Sequence, residues 1–358
     1  MYAQITVALG IATIAATTSP AGLVATGFVA VTTGSGTMQI YAFDLDGGNE
    51  RRLTDGQADH HYPSLSPDGK HLLYTGEEVG RAEIYGLDLS DPSAVPVAIT
   101  RPPVIANSAS WSPDGTSIVY SALLPGHKGY QVFKANPDGS GRIQLTDTKD
   151  SGNASPVFSP DGARIAYMNG REASLPGPDG AILTGVADRI WVMNADGSDP
   201  APVTPGPRDA YPAWLDASTI VFARSFGPDK GSQIFSVALG GAETQLSPPG
   251  QFLVEPKPLP DGKAYGATQR TTSGLHLVTV ARTDRAALTA PAPPGGTTFI
   301  ISRISVPPHN GGVFTMAWIL APAPAIANAG GINTAVLAAA ALVLMVLATL
   351  AAYWRRRI

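Results

Sequence analysis

The residues of this 358-residue chain that could do chemistry lie between short apolar stretches. Asp59-His60-His61 comes nearest to a metal site, because carboxylate and imidazole groups are common metal ligands. Neighbouring histidines point in different directions, so both could bind one ion only in a bent loop. A third ligand, such as His127, would have to come from a distant segment. The pattern therefore favours solvated loop residues, and neither a metal nor a cofactor is predicted.

Other catalytic signals are mostly negative. Residues 44–50 faintly resemble a calcium loop, but the glutamate of an EF-hand is missing at position 12, so a hairpin turn is predicted there. The sequence contains neither a Gly-x-Ser-x-Gly nucleophile elbow nor a Gly-x-x-x-x-Gly-Lys-Ser/Thr phosphate loop. Without cysteine, disulfides, thiolate metal sites and a lipoprotein anchor are excluded.

A recurring turn separates the apolar stretches and would position their side chains. Proline presets φ near −65° and glycine takes the positive φ, so each copy should reverse a strand. Intact copies are Ser66-Pro67-Asp68-Gly69, Ser112-Pro113-Asp114-Gly115 and Ser159-Pro160-Asp161-Gly162, with weaker ones at Leu259-Pro260-Asp261-Gly262, 214–218 and 306–311. The copies recur every 44 to 56 residues, a spacing typical of four-stranded propeller blades.

A second hairpin follows each turn motif, with an apolar-aromatic pair such as Ile84-Tyr85 in its first strand and a Leu-Thr ending such as Leu145-Thr146. The chain begins with a hairpin of this second type, at about 39–54, and ends with one of the first type, at about 303–319. Joined, they would complete a sixth blade and remove open sheet edges. The sequence thus predicts an all-β, six-bladed propeller closed by strands from both termini. Residues 28–31 also look like a strand and compete for a place in that blade.

These three signatures resemble the repeats of the TolB-like β-propellers, also called WD40-like or PD40 repeats, over residues 28–319. The resemblance implies the fold, but propellers host binding, scaffolding and catalysis alike. TolB carries an α/β domain before its propeller, and nothing in the first 38 residues could form one. The likeness is therefore to the propeller part only, and a TolB role in the envelope does not carry over.

The two ends of the chain suggest export and anchoring. Residues 1–26 read as a signal peptide, with an apolar run at 5–16, although an uncleaved anchor or a leader strand stays open. After the propeller (27–320) and an Ala/Pro/Gly linker (321–333), residues 334–354 are long and apolar enough to be a transmembrane helix. Tyr353 and Trp354 would sit at the membrane interface. The tail, 355–358, holds Arg355, Arg356 and Arg357, which by the positive-inside rule places it in the cytoplasm and the propeller outside. A C-terminal sorting signal is the alternative.

Function is expected in the longer loops on the propeller face opposite the turn motifs. Candidate ligand- or partner-binding residues there are His60, His61, Arg81, His127, Arg171, Arg208, Asp209 and Tyr211, with an insertion at 169–188 that could cover the channel. Nucleic acid is disfavoured, because the net charge is −4 and the chain has no basic patch. We therefore expect a membrane-anchored, non-enzymatic module that binds a protein of the envelope or another ligand. The alternative is an anchored lyase or hydrolase acting on a carbohydrate or similar polymer.

Overall fold

The computed structural model describes residues 23–33, 36–176, 182–206, 208–284, 286–290, 298–304, 306 and 313–322. Within these residues the regular elements are all β-strands, arranged in six antiparallel sheets of four strands. Blade 1 is β4 (Asp59–Leu65), β5 (His71–Glu78), β6 (Arg81–Asp88) and β7 (Val97–Ala98). Blade 2 is β8 (Ile105–Trp111), β9 (Ile118–Leu123), β10 (Gln131–Ala135) and β11 (Ile143–Gln144). Blade 3 is β12 (Ser151–Phe158), β13 (Arg164–Pro176), β14 (Ile182–Asn194) and β15 (Ala201–Pro202).

The second half of the ring continues this order. Blade 4 is β16 (Asp209–Trp214), β17 (Thr219–Ser225), β18 (Ser232–Ala238) and β19 (Glu243–Gln245). Blade 5 is β20 (Leu253–Pro258), β21 (Ala264–Thr271), β22 (Gly274–Arg282) and β23 (Phe299–Arg303). Blade 6 is β24 (Val313–Pro322), β1 (Leu23–Thr33), β2 (Met38–Asp44) and β3 (Arg51–Arg52). The innermost strands β4, β8, β12, β16, β20 and β24 contact one another in succession, and β24 contacts β4. The predicted six-bladed propeller is confirmed.

The closing blade differs from the prediction in one respect. The predicted hairpin at 303–319 is wrong, because β23 ends at Arg303 and pairs with β22 in blade 5, which leaves only β24 for blade 6. The strand predicted at 28–31 belongs to β1, which fills the second place. It can do so because it is long enough to pair with β24 on one edge and with β2 on the other. The weak turn at 306–311 therefore falls between two blades, and residues 307–312 lie outside the described part.

The turn motif works as predicted and also carries its own hydrogen bonds. Gly69, Gly115, Gly162 and Gly262 all have φ between 65° and 72°. In the first motif the Ser66 hydroxyl donates to Asp68 at 2.6 Å and accepts from the His71 backbone N–H at 2.9 Å. Ser112 and Ser159 repeat both bonds in the next two blades. The motif therefore adds side-chain hydrogen bonds to the backbone hydrogen bonds that close each strand reversal.

The Leu-Thr ending has a similar role at the outer edge of each blade. The Thr54 hydroxyl accepts the backbone N–H of Ile40 at 2.9 Å, and Thr100 accepts that of Ile84 at the same distance. Thr146, Thr204 and Ser247 repeat the bond to Val132, Ile190 and Ile234. The hydroxyl thus satisfies an N–H group of the third strand where the short fourth strand ends. This explains the hydroxyl residue at that point in five of the six blades.

The predicted terminal segments lie mostly outside the described residues. This holds for 1–22, for the linker after Pro322, for the predicted span 334–354 and for the arginine tail. The described part of the chain contains no helix that could cross a bilayer. At the N-terminus, β1 begins at Leu23, so the propeller takes in the last four residues of the segment read as a leader.

We predict that Gly115→Val lowers the free energy of unfolding by about 1–3 kcal/mol, because valine is strained at a φ of 71°. Chemical denaturation measures the effect. Lys70→Val is the matched control, since Lys70 is exposed, follows the glycine of the equivalent turn and has no left-handed φ. Equal stabilities for the two variants would contradict the conformational role of this glycine.

Candidate functional site

Every innermost strand carries a bulge that interrupts its pairing with the second strand of the blade. In blade 1, for example, the register shifts between His61 and Ser64. One bulge residue in each blade has a left-handed backbone, with φ between 45° and 55°: Tyr62, Ser108, Ser155, Tyr211, Glu255 and Thr315. Such a conformation costs on the order of 1 kcal/mol or more for a residue other than glycine. The channel is therefore lined by six residues at equivalent strained positions.

Three of these residues interact across the channel and form what we call the axial cluster: Tyr62, Tyr211 and Glu255. Burial raises the pKa of the Tyr62 hydroxyl, and Tyr211 and Glu255 raise that pKa further. Burial and the Glu255 charge likewise raise the pKa of Tyr211. Glu77 acts on Tyr62 and Asp188 acts on Tyr211, so two more carboxylates lie within electrostatic reach. The channel at this level is rich in acidic and phenolic oxygens.

Glu255 is the most unusual member of the axial cluster. Its oxygen Oε2 is buried without a hydrogen-bond partner, and burial raises the pKa of its carboxyl, although a hydrogen bond with Thr315 and the charge of Lys257 oppose the shift. Burial in turn lowers the pKa of the Lys257 amine, and Glu255 counteracts this. An acceptor buried without a donor costs about 1–3 kcal/mol. Glu255 is therefore well placed to accept a hydrogen bond from a ligand.

The two histidines of β4 point in different directions, as the sequence predicted. His60 is 6% exposed, packs against the ring of Tyr74 at 4.8 Å between centroids, and has an unpartnered Nδ1. Burial, aided by His61, lowers the pKa of His60 to about 4. His61 instead lies 3.7 Å from the Glu77 carboxylate and near the ring of Tyr62. His60 thus belongs to the core of blade 1, whereas His61 borders the axial cluster.

Asp209 forms a structural ion pair with Arg224. It is fully buried, and both carboxylate oxygens accept from Arg224, at 2.6 Å and 2.9 Å. The same guanidinium binds Glu243 and packs over the rings of Phe222 and Phe235. Arg208 directly precedes Asp209 in the chain. Its backbone φ is 74°, and its carbonyl oxygen accepts a hydrogen bond from the Ser225 backbone N–H. Of this predicted group, only Tyr211 enters the axial cluster.

The remaining predicted residues lie away from the axial cluster. Arg81 donates to the buried carboxylate of Glu83 at 3.0 Å. His127 pairs with Asp147 at 2.8 Å in blade 2. Arg171 is exposed and lines a cavity of about 280 Å³ with Lys128, Asp150 and Asp188. No group of three or more His, Cys, Asp or Glu side chains among the described residues is placed to hold a metal ion.

Within the insertion at 169–188, residues 169–176 and 182–188 extend two strands of blade 3. Strands β13 and β14 pair continuously from Arg164 with Asn194 to Pro176 with Ile182. The neighbouring strand β12 stops pairing at Arg171, and β15 pairs with β14 only at Trp191 and Val192. We call the strand segments 171–176 and 182–187 the arm. Both edges of the arm continue past the strands that flank them, and its base at Asp188 acts on Tyr211 of the axial cluster.

Sequence reasoning found His61 and Tyr211 but missed Tyr62 and Glu255. The missed signal is a proline after the bulge residue, as in Tyr62-Pro63, Ser155-Pro156, Tyr211-Pro212 and Glu255-Pro256. In three of these blades that proline also stands four residues before the proline of the turn motif. Because proline cannot donate a hydrogen bond to the backbone ladder, proline inside a strand of a sheet is confined mainly to edge strands and bulges, so its position here indicates a bulge.

Comparisons with known proteins agree with this fold. Residues 5–173 match the family described as the TolB beta propeller domain (PD40). A TolB homolog of Chlorobium luteolum is 29% identical over 40% of this chain and 31% of its own length. The Tol-Pal system protein TolB of Anaeromyxobacter dehalogenans is 32% identical over 35% of this chain and 28% of its own length. The matches thus span under a third of these relatives. The predicted TolB-like repeats are confirmed.

Solved structures show the fold alone. The crystal structure of TolB from Acinetobacter baumannii superposes with a TM-score of 0.60, at 18% identity, over 82% of this chain and 66% of that one. Hydrazine synthase from Kuenenia stuttgartiensis reaches 0.63 at 14% identity, over 84% of this chain and 47% of that one. Similar propellers therefore occur in proteins with unrelated names.

We predict that Arg224→Met destabilises the protein by about 3–5 kcal/mol, because it leaves the Asp209 carboxylate buried and unpaired. The double variant Asp209→Ala, Arg224→Met should lose less than the sum of the two single losses. Urea denaturation of all four proteins measures the coupling. If the losses of unfolding free energy in the two single variants add up to that of the double variant, Asp209 and Arg224 are not coupled. Asp209 would then again be a candidate for ligand binding.

We also predict that His60 makes stability depend on pH. Its folded pKa of about 4 lies below the unfolded value near 6.5, so the unfolded chain binds more protons between these values. Stability is then complete above pH 6.5 and declines as the pH falls towards 4, by about 2 kcal/mol between pH 7.5 and pH 5. His60→Leu should remove this part of the decline in denaturation at the two pH values, whereas His61→Leu should keep it. Equal declines in all three proteins would show that His60 is not buried neutral.

Proposed function

We propose that the chain is a membrane-anchored, extracytoplasmic module that binds a protein partner in the envelope and catalyses no reaction. The axial cluster and the arm form its contact surface. The observation that carries the proposal is Glu255, whose buried oxygen Oε2 has no hydrogen-bond donor among the described residues. A partner that inserts a donor into the channel would satisfy this oxygen.

The composition of the cluster indicates which donor fits. Glu255 acts electrostatically on the hydroxyls of both Tyr62 and Tyr211, Glu77 acts on Tyr62, and Asp188 acts on Tyr211. Lys257 is the cation that acts on Glu255. This favours a positively charged group, which gains both from the carboxylates and from the faces of the tyrosine rings. The strained backbone at the six bulges supports the proposal, because such strain is concentrated at functional sites.

The arm supplies the second part of the surface. Past Arg171, its strands extend beyond the flanking strands β12 and β15, so backbone donors and acceptors of the arm can pair with an added strand. Its base carries Asp188, which lies within electrostatic reach of Tyr211. A partner seated on the arm could therefore reach the channel without a large rearrangement.

Location and partner class rest on the sequence and on the relatives. The apolar segment 334–354 and the three terminal arginines support a single span with the propeller outside the cytoplasm. Relatives named for the Tol-Pal system support a partner of the envelope. The chain matches under a third of their length, so the partner of those proteins is not assigned to this one.

Affinity capture from solubilised envelope with the full-length chain tests the proposal. A variant with Glu255→Gln and a variant with the arm shortened to a tight turn between Gly170 and Asp188 should each lose a protein that the wild type retains. Asp138→Asn is the matched control, because it also removes one carboxylate, but from an exposed turn in a different blade, blade 2. Glutamine is isosteric with glutamate, so unfolding should not explain a loss, and a melting curve checks this. Identical capture by wild type and both variants would contradict the proposal.

A further inference from the structure

The end of the channel opposite the arm holds a second cavity, which we call the bowl. It has a volume of about 530 Å³, within the range of ligand sites. Residues of the turn motifs form its rim, including Pro67, Pro113 and Pro160, whereas Trp111, Trp214 and Trp318 form part of its wall. The bowl therefore lies on the face of the turn motifs, and blades 1, 2, 3, 4 and 6 contribute to it.

The three tryptophans are held in place by hydrogen bonds between blades. Trp111 donates to the carbonyl of Ser64, Trp214 to that of Val157 and Trp318 to that of Lys257, at 3.2, 3.1 and 2.9 Å. Each bond joins an even-numbered blade to the blade before it. The indoles are thus preorganised, and their only hydrogen-bond donors are already used.

The lining offers little to a strongly polar ligand. The Ser66, Ser112 and Ser159 hydroxyls are taken up by the turn motifs, and the Ser110 hydroxyl donates to the carbonyl of Pro156. What remains at the surface of the bowl is apolar, with Leu65, Val157, Leu320 and the rim prolines. A sugar would find few unoccupied partners for its hydroxyls here, whereas a large apolar side chain would be desolvated on most sides.

The rim is acidic. Asp68, Asp114 and Asp161 directly follow the three rim prolines, and hydrogen bonds from Ser66, Ser112 and Ser159, respectively, lower the pKa of each carboxyl. Asp216 and Asp261 occupy the equivalent turns of blades 4 and 5. Lys70, Arg164 and Lys263 are the cations of the same turns, and Arg164 also reaches the carbonyl of Ala217. Carboxylates are therefore in excess around an apolar cavity.

We propose that the bowl binds a peptide segment that inserts one large apolar side chain along the channel axis and carries lysine or arginine beside it. The apolar side chain contacts the tryptophans and the rim prolines, and the basic neighbours pair with the turn aspartates. This site is independent of the axial cluster and the arm. With both sites occupied, the propeller would join two partners at opposite faces.

A displayed library of random peptides, selected on the full-length chain in detergent, tests the proposal. Selected peptides should be rich in a large apolar residue next to Lys or Arg, and the salt dependence of their Kd should show an ionic contribution. Val157→Trp, which fills the bowl, should weaken their Kd at least about tenfold, and Pro113→Lys, at an exposed rim position, should also weaken it. Val97→Trp, on an exposed outer strand, is the matched control and should change nothing.

Charge is tested by a triple variant, Asp68→Asn, Asp114→Asn and Asp161→Asn, which keeps an oxygen acceptor for each serine and backbone N–H. It should weaken the basic peptides about threefold or more and flatten their salt dependence. Peptides without basic residues, or binding that survives both Val157→Trp and Pro113→Lys, would overturn the proposal. Glu255→Gln separates the two sites, because it should leave this binding unchanged. Loss with Glu255→Gln alone would assign the peptides to the axial cluster and refute the bowl.

Discussion

The pairing of β1 between β24 and β2 is the constraint on which the rest of the structure depends. It joins the two ends of the propeller segment through backbone hydrogen bonds, from Leu23 with Pro322 to Thr33 with Met38. Phe28 of β1 adds a stacked contact with Phe43 and an edge contact with Trp318. Without this blade, β4 and β20 would each lose the neighbour β24, and the channel would have no sixth wall. Both candidate sites therefore rely on contacts between the two ends of the propeller segment.

Within the blades, side-chain hydrogen bonds supplement the backbone pairing near the ends of the strands. Serine and aspartate hold the turn of strands one and two, and threonine satisfies the third strand at the outer edge. At the axis the opposite happens, because the six bulges break the ladder and leave Glu255 with a buried acceptor. The repeated hydrogen bonds stabilise the strained ring, and the strain is concentrated where a ligand can relieve it.

The two ends of the channel differ in chemistry although they share the same six strands. Tyr62, Tyr211 and Glu255 make one end polar, whereas Trp111, Trp214 and Trp318 make the other apolar. In blades 1 to 4 the bulge of the innermost strand and the turn that follows it lie a few residues apart, so one short segment contributes to both ends. The two proposed sites would therefore suit two partners of unlike chemistry.

The turn geometry and the hairpins of blades 1 to 4 could be predicted from the sequence, because each depends on residues close to one another in the chain. The number of blades was also predicted correctly, although the closing hairpin predicted at 303–319 was wrong. Pro67, Asp68 and Gly69 identify their turn, and Leu145-Thr146 marks the end of its blade. Three features became evident in the tertiary structure alone: β1 closes the ring, Arg224 pairs with Asp209, and Tyr62, Tyr211 and Glu255 lie within electrostatic reach of one another. These outcomes depend on burial and on the distance between blades. A one-dimensional pattern of residue types does not contain those quantities, since they arise only when the ring closes.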